Sequence, residues 1–82
     1  MILFNPTRNK FSVTYDTNND GKPITYEIMP TETADFDEPI YSHVKKHLID
    51  FVVNERGVNP TFKLEVDSIE KEINADLWTD NQ

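Results

Sequence analysis

From Phe11 to Ile28 apolar and polar side chains alternate: Phe11, Val13 and Tyr15 are separated by Ser12 and Thr14, and Ile24, Tyr26 and Ile28 by Thr25 and Glu27. A period of two marks strands that bury one face, and Val, Ile, Thr and Tyr suit a pleated surface. Between the runs stand Asn18, Asn19, Asp20 and Gly21, residues that accept the left-handed backbone of a tight connection. The pattern predicts a β-hairpin. Further on the period lengthens. Ile40, Val44, His47, Leu48, Phe51 and Val52 share one broad arc at about 100° per residue, which predicts a helix ending at about Arg56. Asp37 is placed to cap it, Pro39 is tolerated in its first turn, and Phe36 is placed to staple onto Tyr41. Gly57 supplies the stop, with Pro60 just beyond. Ile49 and Val53 lie nearly opposite the arc, so either another element covers them or they leave an apolar patch for a partner.

The segment after Gly57 carries two periods. Phe62, Leu64 and Val66 alternate as in a strand, while Phe62, Val66, Ile69, Ile73 and Leu77 trace a narrow helical stripe. The stripe accounts for more residues, Asn59-Pro60 is a good helix opening, and Lys63, Asp67 and Lys71 stand four apart. A helix from Pro60 to about Ala75 is therefore expected, the alternative being a strand to Val66 followed by a short helix capped by Asp67 or Ser68. The ends read as arms. Ile2, Leu3 and Phe4 precede Asn5-Pro6 in an extended segment over 1–9 that either pairs with the hairpin or reaches outward. Leu77 and Trp78 form an apolar pair in the polar tail 76–82. The expected fold class is α+β: one domain over 1–82, an N-terminal β-hairpin packed on two antiparallel helices.

Composition narrows the function. At 82 residues a single modest core is available, and stability at this size often draws on a partner. The chain has no cysteine, which excludes disulfides, zinc–thiolate sites and thiol nucleophiles. No apolar run approaches the length of about 20 that spans a bilayer, and the start MILFNPTRNK lacks a signal peptide's long apolar region, so a soluble, unsecreted protein without a membrane partner is expected. Fifteen acidic against eight basic residues give a formal charge of −7, which repels phosphates and leaves no basic stripe for direct nucleic-acid binding. That acidity is either a solvated surface or a means of steering toward a basic partner.

Candidate chemistry is sparse. DTNNDGKPITYE, residues 16–27, matches the letters of a calcium-binding EF-hand loop. Such a loop needs a helix on each side to aim its oxygens at one centre, and here both flanks read as strands; a weak cation among Asp16, Asn18 and Asp20 is the remaining metal reading. His43, His47 and Asp50 project from neighbouring positions on the long helix, a spacing zinc can use. The plainer reading has His47 at the core margin beside Asp50 and His43 in solvent. Ser42 and His43 are adjacent and point apart, which denies a nucleophile its base, and two glycines cannot build a phosphate cradle. The expectation is a non-enzyme with no cofactor and no metal.

Asn5-Pro6-Thr7, the hairpin turn at Asp20-Gly21-Lys22-Pro23, the helical segment with His43, Lys46, His47 and Leu48, and the later Asn59-Pro60 together resemble small accessory proteins encoded beside structural genes in tailed bacteriophages. The resemblance covers most of residues 5–75 and departs in the acidic NNDG insertion and in the tail. It implies a virion component, present in host cytoplasm during assembly, that binds capsid, neck or tail subunits; it carries over no catalytic residue. The residues expected to make the contact are Ile2, Leu3, Phe4, Ile49, Val53, Leu77 and Trp78, with self-assembly into a homo-oligomer open. Two other readings stand beside it: a free acidic regulator that imitates DNA and inhibits a host nucleic-acid-binding protein, and a calcium-responsive module.

Overall fold

Four strands precede two helices in the computed structural model, which describes residues 1–79 except for the side chains of 78 and 79. The strands are β1 (Ile2–Phe4), β2 (Phe11–Tyr15), β3 (Ile24–Ile28) and β4 (Thr33–Asp35); the helices are α1 (Ile40–Arg56) and α2 (Lys63–Ile73), followed by a 3-10 turn over Ala75–Thr79. The architecture is the small α+β fold that the two periodicities indicate.

The alternating runs do form the hairpin. β2 and β3 are antiparallel, with Phe11 opposite Ile28 and Tyr15 opposite Ile24. Phe11 and Ile28 are buried, and Val13 and Tyr26 pack on the core from the same face, while Ser12, Thr14, Thr25 and Glu27 face solvent. The hairpin docks on α1 through rings: Phe11 lies 5.2 Å from Phe51 and Tyr15 stacks at 4.2 Å on His43.

The N-terminal arm is an integral strand. β1 pairs antiparallel with β4, Leu3 opposite Ala34, and Leu3 also bridges Asn74 after α2. Pairing is therefore neither with the hairpin nor outward; the partner is the short stretch Thr33–Asp35 ahead of α1. The cause is burial, because Leu3 is 0% exposed and an apolar side chain of that size gains about 1.5–3 kcal/mol on leaving water. Asn5, also 0% exposed, fixes the exit from β1. Its amide donates to the carbonyls of Asn9 and Ile28, both at 2.9 Å, and its Oδ1 accepts from the Thr7 N–H at 3.0 Å and the Thr7 hydroxyl at 2.7 Å.

Helix α1 buries Tyr41, Val44, Leu48, Val52 and Val53. Asp37 does not cap it with its side chain; its main-chain carbonyl takes the Tyr41 N–H, and the Glu38 carboxylate takes the Ser42 N–H and hydroxyl. Pro39 stands at the N-cap position. Gly57 ends the helix as expected, at φ 67°, with Gly57 N–H on Asn54 O and Val58 N–H on Val53 O, the paired bonds of a Schellman stop.

Helix α2 is the helical alternative realised, with Ile69 and Ile73 in the core. It starts at Lys63, not Pro60, because Asn59-Pro60-Thr61 closes its own turn: Asn59 Oδ1 accepts from the Thr61 N–H at 3.0 Å and the Thr61 hydroxyl at 2.9 Å. Lys45 pairs with Glu70 at 2.7 Å and Arg56 with Glu72 at 2.7 Å. Lys45 and Arg56 are separated by roughly 16 Å of helix at about 1.5 Å per residue, whereas Glu70 and Glu72 leave α2 on nearly opposite sides. Both ion pairs thus tie α1 to the C-terminal half of α2.

Candidate interaction surfaces

Two of the seven anticipated contact residues belong to the core. Leu3 is 0% and Val53 8% exposed, so neither has a surface to offer: Leu3 is claimed by β1 packing and Val53 lies in the cluster that also holds Ile69 and Ile73. Phe4 is half-buried, as is Ile49, which packs against the core and lines a shallow groove of about 270 Å³ with Tyr41, Ser42, Lys45 and Lys46. Ile2 and Leu77 are exposed and share one end of the molecule, where the Ile2 N–H donates to Asp76 Oδ2 at 2.8 Å. Residue 76 is thus tied to β1 and Ala75 is buried, so the tail does not begin as a free arm. The side chain of Trp78 lies outside the described residues, as do positions 80–82.

The most exposed apolar side chains had not been anticipated as contacts. Leu64 is 86% exposed and Phe62 57%; they flank a concavity of about 420 Å³ lined by residues Thr61 to Glu65, where α2 begins. The helical period puts Phe62 on the inward stripe, but the turn made by Asn59-Pro60-Thr61 leaves it at the helix cap, ahead of the first buried turn. A signal for Leu64 was present: on a helix carrying Val66, Ile69 and Ile73 inward, position 64 points away from that stripe.

The hairpin tip explains its calcium-like letters. Asp16 Oδ1 accepts from the Asp20 N–H at 3.0 Å and Oδ2 from the Gly21 N–H at 2.7 Å, while Asp20 Oδ1 accepts from the Lys22 N–H at 2.9 Å. The carboxylates that would face a cation are wrapped around main-chain donors, and the flanks are strands. Asn19 at φ 55° and Gly21 at φ 77° supply the left-handed conformations of the tip. Adding calcium is therefore expected to leave the thermal midpoint unchanged in the wild type and in the double variant Asp16→Asn, Asp20→Asn; a rise in the wild type that vanishes in the variant would restore the cation site.

The histidines exchange their anticipated roles. His43 is half-buried on Tyr15 with its Nε2 3.3 Å from Thr14 O, His47 is exposed 4.5 Å away ring to ring, and Asp50 is exposed. The hairpin covers His43, which the helix pattern alone could not disclose. Among the described residues no group of three His, Asp or Glu is placed to hold a metal ion, and no helix is long and apolar enough to cross a membrane.

Two carboxyls are held below their ordinary range. Burial alone would raise Asp16, but the N–H donors of Asp20 and Gly21 outweigh it; for Glu72 the hydrogen bond from Arg56 dominates. A folded value below the unfolded one means stability that is complete above the ordinary carboxylate range, about 4, and is lost as pH falls through the lowered values. The thermal midpoint should decline in that acid window, and Glu72→Gln should flatten part of the decline. An unchanged slope in Glu72→Gln would contradict this role for the Arg56 pair.

The fold and these surfaces define a small α+β protein whose most exposed apolar side chains stand at the head of α2, with others beside the paired ends and at Ile24 and Met29 on and after β3. Comparison with protein-family models, curated proteins and solved structures finds no match to this chain.

Proposed function

We propose that this protein is a small non-enzymatic interaction module, an accessory component of a tailed-phage particle that binds a capsid, neck or tail subunit by burying apolar side chains. The observation that carries the interaction reading is the exposure of Phe62 and Leu64, two positions apart at the start of α2, where both line one concavity. Two such side chains left in water, while the apolar positions of α1 and the rest of α2 are buried or half-buried, are the anchors expected of a contact with a neighbour. Ile2 and Leu77 form a second, smaller contact. The phage assignment rests on the sequence resemblance, and the contact residues it leaves open are assigned to the α2 head.

A DNA-imitating regulator is the weaker reading. Imitation needs carboxylates turned outward in a row, whereas Asp16, Glu27, Glu38, Glu70 and Glu72 are engaged by the protein's own donors. The test is co-purification with intact particles. A fixed ratio of this chain to a structural subunit supports the proposal; its absence from washed particles would refute the virion role, whatever its behaviour in free form.

A further inference from the structure

We propose that Asp20 is a site of spontaneous backbone isomerisation and that Asp16 holds it in check. An Asp-Gly step is open to this chemistry because the glycine nitrogen carries no neighbouring Cβ to hinder its approach to the preceding side chain. Asp20 and Gly21 are both exposed, and a Cβ added at Gly21 would meet nothing within 4 Å, so packing places no obstacle in the way.

The reaction balances without any co-reactant but water. The Gly21 amide nitrogen gives its proton to solvent and attacks Cγ of Asp20; a C–N bond forms, the carboxyl oxygen leaves as water, and a five-membered succinimide results. Water then adds to one of the two ring carbonyls and opens the ring. Opening at the main-chain side routes the backbone through the former side chain, which inserts a methylene at the tip between β2 and β3. No mass is gained or lost.

Hydrogen bonding opposes the first step at three points. The Gly21 N–H that must be given up is held by Asp16 Oδ2 at 2.7 Å, and the negative carboxylate beside it disfavours a second negative charge on that nitrogen. The Asp20 N–H is fixed by Asp16 Oδ1 at 3.0 Å, which restrains the backbone rotation that ring closure requires. The Asp20 carboxylate itself is drawn to the Lys22 N–H at 2.9 Å, past the nitrogen it would have to meet. Attack therefore waits for the loop to open locally. The EF-hand-like spacing of Asp16, Asp20 and Gly21 thus serves to guard a bond.

The full chain is incubated at neutral pH, folded or in urea, and iso-aspartate at residue 20 is followed by peptide mapping. Folded wild type should isomerise at least about tenfold more slowly than the urea-unfolded chain, the factor that 1.4 kcal/mol of loop opening represents. Asp16→Ala, which removes both acceptor oxygens, should approach the unfolded rate while its thermal unfolding remains cooperative, and Asp16→Asn, which keeps one, should fall between. Equal rates in folded and unfolded wild type would overturn the proposal. So would a folded Asp16→Ala as slow as wild type.

Discussion

Asn5→Ala will destabilise the fold by about 2–5 kcal/mol, because a buried donor or acceptor left unpaired costs about 1–3 kcal/mol. The Ile28 carbonyl loses its amide donor and the Thr7 N–H its acceptor, both in the buried neighbourhood of a residue that is 0% exposed. Asn5→Asp does no better: a carboxylate keeps the acceptor but cannot donate to Ile28, and it places a charge where no counter-charge is at hand. The second Asn-Pro-Thr provides an internal control. Asn59 makes the same two bonds to Thr61, but in solvent, so Asn59→Ala should cost less than about 1 kcal/mol. Urea unfolding of the two alanine variants checks this, and equal losses would mean that burial is not what gives Asn5 its weight.

The second large effect concerns binding, not folding. Phe62→Glu combined with Leu64→Glu should weaken association with the partner subunit by more than about thirtyfold, since a pair of central anchors is worth 2 kcal/mol or more. Stability should hardly move, because Leu64 at 86% exposure and Phe62 at 57% contribute little to the core. Ile2→Ser with Leu77→Ser should weaken it less. Wild-type association by the first pair would move the contact to the paired ends or to the groove beside Ile49.

Much of the fold was legible because its signals were local. The alternation around β2 and β3 and the Gly57 stop each lie within one element and appear where the pattern puts them, and on the arc of α1 Val44, Leu48 and Val52 are buried, although His47 is exposed and Val53, from the other side, joins the core. What was hidden depended on partners far along the chain. Thr33-Ala34-Asp35 offers one small apolar side chain, too little to announce β4, and only the burial of Leu3 from the other end of the sequence makes it a strand. Asn5 reads only as part of the extended N-terminal segment and is a buried hub, since polar residues betray burial only through the groups they satisfy. His43 and His47 exchanged roles for the same reason: the face of α1 that the hairpin covers is decided by the ring contacts of Phe11 and Tyr15. The contact surface was the least legible part: Leu64 lies off the inward stripe, but Phe62 reads as part of it, and its exposure follows from the turn at Asn59 that starts α2 only at Lys63.

The proposed attachment to a particle works through apolar burial. A salt series on purified particles separates burial from charge, because at about 1 M salt surface charges are screened to roughly 3 Å while apolar contacts persist. The chain should remain bound in its fixed ratio through that series, with only the Phe62→Glu, Leu64→Glu variant missing from the start. Progressive release of the wild type as salt rises would show that charge, not the exposed apolar side chains, holds it in place.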